Sequence, residues 1–346
     1  MSILFIGSYT EEIAPGFGGI GKGINTLELN EETGVLSRLH EIETLNPGYI
    51  VISDDKKFLY TFTEVIQEKK PKAKAYKILD NFSLEFINEV IINGSLPCHI
   101  NYYKKSIFIT CYGTGNLLSF AIGEHGELLK ETANLRHYGN SINIKRQEAP
   151  HAHQVVINKK LNQFFVPDLG IDKIKVYDFK NDLQPYSKLD ICVDKGFGPR
   201  HIVFNSDATV GYIISELTGK VGIVKNSDDG FKTLHNVASL PLDFKETPSA
   251  SAIRIHPNNK YLYVANRNID AITIFKIKNE TLQLIAYTFT NGKTLREFNI
   301  SKSGKWLIVS LQDSHETIVY KILSNGKLEE AFKTPAIKSG VCITFL

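Results

Sequence analysis

The sequence of 346 residues lacks the features of a membrane protein or a nucleic-acid-binding protein. It contains no apolar run of the roughly 18–20 residues that a transmembrane helix needs. The formal net charge of +3 is too small to favour nucleic acid or an anionic membrane as a partner. The N-terminal segment MSILFIGSYT has no basic residues ahead of its apolar ones, so we expect no signal peptide. The four cysteines show no Cys-x-x-Cys spacing, which predicts a reduced chain in the cytoplasm.

The sequence also lacks the patterns of covalent-nucleophile hydrolases and of helical proteins. It has no Gly-x-Ser-x-Gly, Ser-Lys or Cys-His pattern. No segment shows a convincing helical period. The glycine-rich stretch 11–23 faintly resembles a dinucleotide-binding loop, but that loop must be followed by a helix, and 24–29 has the pattern of a strand. Nucleotide binding is therefore not predicted.

A repeat of paired strands is what the chain does contain. In 198–224, GPRHIVFNSDATVGYIISELTGKVGIV, two apolar alternating runs flank a polar turn, and a third run follows. This pattern recurs at intervals of 45 to 55 residues along the chain. The residues that begin its first strands are Pro47, Pro97, Ala152, Pro199, Ala250, Leu295 and Gly340. A period of this length with several short strands per unit indicates a β-propeller.

The seventh copy of the repeat is split between the two ends of the chain. Residues 340–345, GVCITF, have the first-strand pattern, and residues 2–10, SILFIGSYT, have the second-strand pattern. A C-terminal strand that completes the N-terminal sheet closes the ring and removes its open edges. The sequence therefore predicts an all-β, seven-bladed propeller, with a single domain over 1–346 closed in this way. We also expect the polar stretch 131–148 to arch over one mouth of the channel, and 180–198 to be a second long connection.

Two rings of positions are expected at the central channel, which the first strand of each blade lines. The first ring is Gly48, Cys98, His153, Arg200, Ser251, Arg296 and Val341. The second ring, at the end of each second strand, is Tyr9, Glu64, Tyr112, Leu169, Glu216, Arg267 and Gln312. The residue type changes from blade to blade, whereas a purely structural repeat would tend to keep it. Convergent polar groups at a concave mouth predict a binding site.

Histidine and arginine are the chemically informative members of these rings. His151 and His153 lie two apart, so both side chains share one face of an extended segment. They are candidate functional groups, with structural hydrogen bonding and a metal site as alternatives. The three arginines Arg200, Arg267 and Arg296 would repel one another unless an anion balances them, and guanidinium suits carboxylate or phosphate. Pairing with the protein's own Glu64 and Glu216 is the alternative.

The sequence resembles the lactonase family of seven-bladed propellers, which includes bacterial 6-phosphogluconolactonase and a carboxymuconate-lactonising enzyme. The matching segments span nearly the whole chain in the family's order. They are IGSYT at 6–10, RQEAPHAHQV at 146–155, DLGIDKIKVY at 168–177, GPRHIVF at 198–204, SEL at 215–217 and IRIHPNNKYLYVANR at 253–267. Two departures, Ala252 in place of a frequent Glu and 295–297 in place of a Pro-Arg-Asn-like segment, lie at the expected pocket rim.

The resemblance implies an active site in the channel and a lactone as substrate. Carried over, it implies Arg200, Glu216, Arg267 and either His151 or His153. With the rings, the predicted catalytic residues are His153, Glu216, Arg200 and His151, and the predicted substrate-binding residues are Arg267, Arg296, His201, Glu64, Gln312 and Tyr9. Asp168 is expected to order a turn of blade four. No cofactor and no metal is expected, and the partner is a small, anionic sugar lactone bound by a monomer or weak homodimer.

Three functions are consistent with the sequence. The first is hydrolysis of a sugar lactone, with 6-phosphogluconolactone as the first candidate and Glu216 or His153 activating water. The second is a lyase or isomerase that forms or opens a lactone on a carboxylated substrate. The third is a non-catalytic propeller that binds partners on its faces, against which the charged rings argue.

Overall fold

The fold is built almost entirely from short β-strands. The computed structural model describes residues 1–179 and 183–346. Besides strands it contains two 3₁₀ helices, Gln67–Lys69 and Ser187–Leu189. In chain order the strands are β1 Ser2–Ser8, β2 Glu12–Ala14, β3 Phe17–Gly18, β4 Gly23–Leu29, β5 Leu36–Glu43, β6 Pro47–Ile52, β7 Phe58–Thr63, β8 Lys72–Ile78, β9 Leu84–Ile91, β10 Pro97–Tyr103, β11 Ser106–Cys111, β12 Asn116–Ile122, β13 Leu128–Arg136, β14 Val156–Asn158, β15 Gln163–Asp168, β16 Lys173–Phe179, β17 Leu183–Pro185, β18 Ile191–Cys192, β19 Pro199–Phe204, β20 Val210–Ser215, β21 Lys220–Ser227, β22 Gly230–Ala238, β23 Ala250–Ile255, β24 Tyr261–Asn266, β25 Ala271–Lys278, β26 Thr281–Phe289, β27 Leu295–Ile300, β28 Trp306–Leu311, β29 Glu316–Ile322, β30 Leu328–Thr334 and β31 Gly340–Phe345. No helix among these residues is long and apolar enough to cross a membrane.

Seven antiparallel sheets form the blades of a β-propeller in the described part of the chain. Blade one has the strand order β31-β1-β4-β5. The other blades are β6–β9, β10–β13, β14–β17 with β18 beside β16, β19–β22, β23–β26 and β27–β30. The seven-bladed fold predicted from the repeat is confirmed. That 1–346 is one folding domain stays a prediction.

The C-terminal strand closes the ring. β31 pairs antiparallel with β1, with Leu4 opposite Phe345 and Gly7 opposite Cys342. The predicted joining of the two chain ends in blade one is therefore confirmed. Because β31 is the innermost strand of that blade, the first and last segments of the sequence both reach the channel wall.

The innermost strands begin at the predicted residues in every blade except blade four. There β14 begins at Val156 instead of Ala152. The stretch before it remains joined to the neighbouring strand, since Ala152 forms a bridge with Asp168 and His153 N–H donates to Pro167 O. The inner segment of blade four thus lies where the other blades have their inner strands, but its backbone hydrogen bonds to the next strand are irregular.

A register shift at the start of most inner strands creates the first ring. The extra residue lies between Pro199 and His201 in blade five, and equivalent shifts occur in blades two, three, six and seven. A β-bulge of this kind inserts an unpaired residue and redirects its side chain. Arg200 is that residue in blade five, and Cys98 and Arg296 hold the same position in blades three and seven.

The second ring is held by one backbone hydrogen bond that all blades share. Each ring residue donates its N–H to the carbonyl just before the inner strand, at 2.9–3.0 Å. The pairs are Tyr9 to Ser339, Glu64 to Asn46, Tyr112 to Leu96, Leu169 to His151, Glu216 to Gly198, Arg267 to Ser249 and Gln312 to Thr294. This bond fixes both rings at the same end of the channel.

The core lies between the faces of adjacent blades. Tyr212 and Ile214 of blade five pack with Ile253 and Leu262 of blade six in one buried cluster. Comparable apolar clusters join the other blades. Full burial of one such side chain stabilises the folded state by roughly 1.5–3 kcal/mol. Because these clusters join neighbouring blades, the blades form a stiff frame around a polar channel.

Two expectations about connections were wrong in part. β13 runs to Arg136, so the long polar loop covers 137–150 and not 131–148. The connection expected at 180–198 contributes β17 and β18 to the edge of blade four, while its residues 180–182 lie outside the described residues. In both cases polar, weakly alternating sequence forms the exposed outer strand of a blade, where no apolar period is required.

Candidate active site

A cavity of about 220 Å³ lies at the channel mouth where the two rings meet. Eleven residues line it. They are Phe17, Glu64, Leu96, Cys98, Tyr112, Arg146, His153, Arg200, Glu216, Arg267 and Arg296. Six of them are predicted site residues: Glu64, His153, Arg200, Glu216, Arg267 and Arg296. The antiparallel blade brings the start of one strand and the end of the next to this mouth.

A larger cavity of about 670 Å³ occupies the opposite mouth, and several of its polar side chains are bonded to neighbouring blades. Its Asn101 and Asn299 donate side-chain hydrogen bonds to backbone carbonyls of the next blade. Its Arg254 is paired with Glu297 at 2.9 Å. These side chains tie blades together, which makes the smaller cavity the candidate active site.

Glu216 lies at the centre of the charge network in the smaller cavity. Its Oε2 is 3.0 Å from both Arg200 Nε and Arg267 Nη2, and its Oε1 is 2.5 Å from Arg146 Nη2. Burial acts to raise the pKa of this carboxyl group, but the three guanidinium groups outweigh burial and hold the pKa far below its usual range. Glu216 is therefore ionised at neutral pH.

His153 is a neutral imidazole in the wall of the same cavity. Burial lowers its pKa well below 6.5, and the charge of Arg200 lowers it further. Its Nε2 lies 4.0 Å from Oε2 of Glu216, and its buried Nδ1 has no partner among the described residues. A neutral imidazole can accept a proton at Nε2, and Glu216, 4.0 Å from that nitrogen, is placed to stabilise the resulting cation.

The cavity carries an excess of positive charge. Four guanidinium groups line it, those of Arg146, Arg200, Arg267 and Arg296, against the two carboxyl groups of Glu64 and Glu216. Burial lowers the pKa of Arg267 to about 10 even though Glu216 acts to raise it. Burial makes the charged form of these arginine side chains less favourable, and a bound anion would stabilise that form.

Glu64 has a different environment from Glu216. Tyr9 donates its hydroxyl hydrogen to Oε2 of Glu64 at 2.7 Å, and Arg296 Nη2 donates to the Tyr9 oxygen at 2.7 Å. Burial raises the pKa of Glu64 above 4.5, although Arg296 and the hydrogen bond from Tyr9 act to lower it. Tyr9 thus lies behind the cavity wall and holds Glu64 and Arg296 in place.

Three further predicted residues lie outside the cavity wall. His151 stacks on Tyr112 with ring centroids 4.3 Å apart, and its Nδ1 is 2.8 Å from the Tyr112 carbonyl. A catalytic role for His151 is therefore not supported by its position. His201 packs against both His99 and His153 between the two cavities. Gln312 donates to Gly18 O and so anchors the β2–β3 hairpin.

Asp168 orders blade four, as expected. Its Oδ1 accepts hydrogen bonds from the N–H groups of His151 and Gly170, and its Oδ2 lies 2.5 Å from Nδ1 of His137. These bonds use both carboxylate oxygens and hold the segment that carries His153. Asp168 is a structural residue in this arrangement.

The repeat did not predict three residues of the cavity, Arg146, Phe17 and Leu96. Arg146 comes from the loop 137–150, Phe17 from the β2–β3 hairpin, and Leu96 from the position just before β10. Arg146 is the first residue of the segment RQEAPHAHQV, and that match was the one signal for it. Phe17 contacts Tyr9 edge-on and lies beneath the guanidinium of Arg296, 5.0 Å from its carbon. The loop expected to arch over the mouth does supply a side chain to the site.

No group of three or more His, Cys, Asp or Glu in the described residues is arranged to hold a metal ion. The three channel histidines His99, His153 and His201 lie near one another, but their rings meet edge to face. The polar groups that line the candidate site are guanidinium, carboxyl, imidazole, phenol and the thiol of Cys98.

The profile of the family described as "Lactonase, 7-bladed beta-propeller" matches residues 3–345. The chain belongs to the lactonase family. As a lactonase it is a lactone-hydrolysing enzyme, and the resemblance noted in its sequence is confirmed. It is 28% identical over 351 aligned positions to the 6-phosphogluconolactonase of Bacillus subtilis (strain 168), covering 99% of this chain and 97% of the relative.

Solved structures share the fold of this chain. A protein from Bacteroides fragilis NCTC 9343, described as a proposed 6-phosphogluconolactonase, matches with a TM-score of 0.92 and 29% identity, covering 100% of this chain and 98% of the other. A periplasmic gluconolactonase from Pseudomonas aeruginosa matches with a TM-score of 0.91 at 22% identity, covering 100% and 99%. The second likeness shows the fold alone.

Proposed function

We propose that this lactonase hydrolyses an anionic sugar lactone, with 6-phosphoglucono-δ-lactone as the substrate to test first. The observation that carries the proposal is the excess of guanidinium over carboxyl groups in one buried cavity. A phosphate or carboxylate on the substrate would balance that charge. The name of the Bacillus subtilis relative supports the phosphorylated sugar lactone over other anions.

His153 acts as the general base in this reaction. Every oxygen of Glu216 already faces a guanidinium group, so Glu216 is a poor proton acceptor. His153 is neutral and lines the cavity, and its Nε2 lies 4.0 Å from Glu216, beyond hydrogen-bond distance. It takes a proton from water as the water attacks the lactone carbonyl, and Glu216 stabilises the imidazolium that forms. The contacts of the two side chains favour His153 over Glu216, the two bases left open by the sequence.

Arginine side chains provide the electrostatic part of catalysis. Negative charge grows on the carbonyl oxygen as water adds, and Arg200 and Arg267 beside His153 stabilise it. Arg296 and Arg146 hold the substrate's own anionic group. Because the blade frame and Glu216 fix Arg200 and Arg267 before substrate arrives, little reorganisation accompanies the reaction.

A substrate panel tests this proposal. The purified chain is assayed, with and without a chelator, on freshly prepared 6-phosphoglucono-δ-lactone, on glucono-δ-lactone and on a carboxylated muconolactone, and spontaneous opening is subtracted. We expect acceleration that is unaffected by the chelator and strongest for the phosphorylated lactone. Preference for the muconolactone would favour a lyase or isomerase instead, and no acceleration of any lactone would contradict the proposal.

The cytoplasm remains the proposed compartment, and a monomer or weak homodimer the proposed state. All four cysteines are free, and three of them are buried. Free thiols are typical of chains that fold in a reducing compartment. Light scattering on the purified protein would establish the oligomeric state.

A further inference from the structure

The proposed hydrolysis leaves one buried carboxyl group of the cavity without a role. Glu64 follows β7 of blade two at the position that Glu216 holds after β20 of blade five. Both side chains line the cavity. The repeat has therefore brought two carboxyl groups to equivalent positions in different blades, where they face one substrate site.

The two carboxyl groups differ in the contacts of their oxygen atoms. Both oxygens of Glu216 face guanidinium groups. Glu64 accepts a hydrogen bond from Tyr9 on Oε2, whereas no hydrogen bond within the described residues reaches its Oε1. The cation nearest to that oxygen is Arg296, whose Nη2 is 3.7 Å away. Glu64 thus has an oxygen that is free to carry a proton, and Glu216 does not.

A glycine makes room for the Glu64 carboxyl group. Gly48 holds the first-ring position of blade two, where the following blades place Cys98, His153 and Arg200. A Cβ atom on Gly48 would overlap Oε2 of Glu64. The missing side chain and the Tyr9 hydroxyl together direct this carboxyl group into the channel.

We propose that Glu64, in its protonated form, is the general acid that donates a proton to the ring oxygen of the lactone. This inference rests on the proposed hydrolysis. Water adds to the carbonyl carbon and gives one proton to His153. The bond from that carbon to the ring oxygen then breaks, and the ring oxygen takes the proton of Glu64 and becomes a hydroxyl group. The open-chain acid leaves, His153 releases its proton to solvent, and Glu64 is reprotonated.

The electrostatics of the cavity agree with this assignment of acid and base. Burial raises the pKa of Glu64, and burial with Arg200 lowers the pKa of His153. Both shifts increase the fraction of enzyme that holds a protonated carboxyl group and a neutral imidazole at the same pH. Unlike environments around two titratable groups are a common signature of an acid and base pair.

The test is the pH dependence of kcat for wild type and two variants on the lactone that the wild type prefers. Glu64→Gln cannot donate the proton, so kcat should fall by about 100-fold or more. The decline of kcat at the high-pH side, which reports ionisation of Glu64, should also disappear. Tyr9→Phe removes a hydrogen bond that stabilises ionised Glu64, so the decline should move to higher pH. A merely structural Glu64 would not produce that shift.

Glu148→Gln is the matched control, since Glu148 is exposed at the rim and does not line the cavity. If the wild type is active and Glu64→Gln has the same kcat and pH profile, the role of Glu64 is overturned, while the proposed hydrolysis stands. If Glu64→Gln does not fold, Tyr9→Phe is the deciding variant. The inference is overturned if the high-pH decline of its kcat stays at the wild-type pH or moves to lower pH. A wild type without lactone hydrolysis would overturn the proposed function itself.

Discussion

Arg200 and Glu216 form a buried ion pair in blade five, with Nε of Arg200 3.0 Å from Oε2 of Glu216. Arg200 is the bulge residue at the start of β19, and Glu216 follows the end of β20, so one hairpin supplies both. Arg267 and Arg146 share the same carboxylate. One carboxylate therefore organises three guanidinium groups, and their uncompensated charge is available for an anionic substrate.

Removing the charge of Glu216 should destabilise the protein and abolish activity. In Glu216→Gln three guanidinium groups would share a neutral amide, and an unpaired buried charge costs about 3–5 kcal/mol. Urea unfolding measures this loss. Glu41→Gln is the control, because Glu41 pairs with Lys22 and Arg38 at the surface and should contribute less than about 1 kcal/mol. Equal stability of the two variants would contradict the central role of Glu216.

Arg146 should affect substrate binding much more than stability. Its side chain is 41% exposed and comes from a loop outside the blades. In Arg146→Ala the KM for the phosphorylated lactone should rise roughly tenfold, the equivalent of about 1.4 kcal/mol, with a smaller change for glucono-δ-lactone. The exposed neighbour Lys145→Ala serves as control. An equal rise in KM for both lactones would mean that Arg146 does not contact the phosphate.

Stability should fall as the pH drops below about 6.5. Burial holds the pKa values of His99, His153 and His201 well below that value. The unfolded chain therefore binds protons that the native chain does not, so the free energy of unfolding increases with pH in this range. Each histidine contributes a slope of up to about 1.4 kcal/mol per pH unit.

Urea unfolding at several pH values measures that slope. His201→Gln should reduce the slope by the contribution of one histidine. The exposed His125→Gln should leave it as in wild type. A slope that is the same in all three proteins would show that these histidines are not the source of the acid sensitivity.

Loss of the closing strand should unfold the whole ring. A chain that ends at Ser339 lacks β31, which leaves the inner edge of β1 without its partner. We expect the truncated chain to lose its cooperative thermal transition, because opening the ring exposes an unpaired strand beside the channel. A chain ending at Phe345 keeps β31 and should melt like wild type. Separate transitions in calorimetry of the intact chain would contradict the single-domain prediction.

The repeat made both rings predictable from sequence, because the second-ring residue follows the first-ring residue by 16 positions in five blades and by 14 in blade three. Arg200 with Glu216 and Glu64 with Arg296 therefore appeared as candidates before any coordinates. Distances within a blade follow from strand pairing, which is a local property of the sequence.

The cavity residues that come from loops could not be predicted from the repeat. Arg146 reaches the cavity because 137–150 folds back over the mouth, and no periodicity governs such a segment. The alternation predicts that His151 and His153 share one face. It does not predict that the ring of His151 stacks on Tyr112. The unequal contacts of Glu64 and Glu216 depend on Tyr9 and Gly48 from other strands, so the separate roles of the two carboxyl groups required the three-dimensional arrangement.

The most direct test of the account is the rate of 6-phosphoglucono-δ-lactone hydrolysis by wild type and by His153→Asn, measured side by side. His153 is buried at the cavity, and its ring nitrogen is the proposed proton acceptor. We predict that wild type accelerates the reaction and that His153→Asn lowers kcat by about 100-fold or more with little change in KM. The exposed His125→Asn should behave as wild type. Full activity in His153→Asn, or a wild type no faster than buffer, would contradict the account.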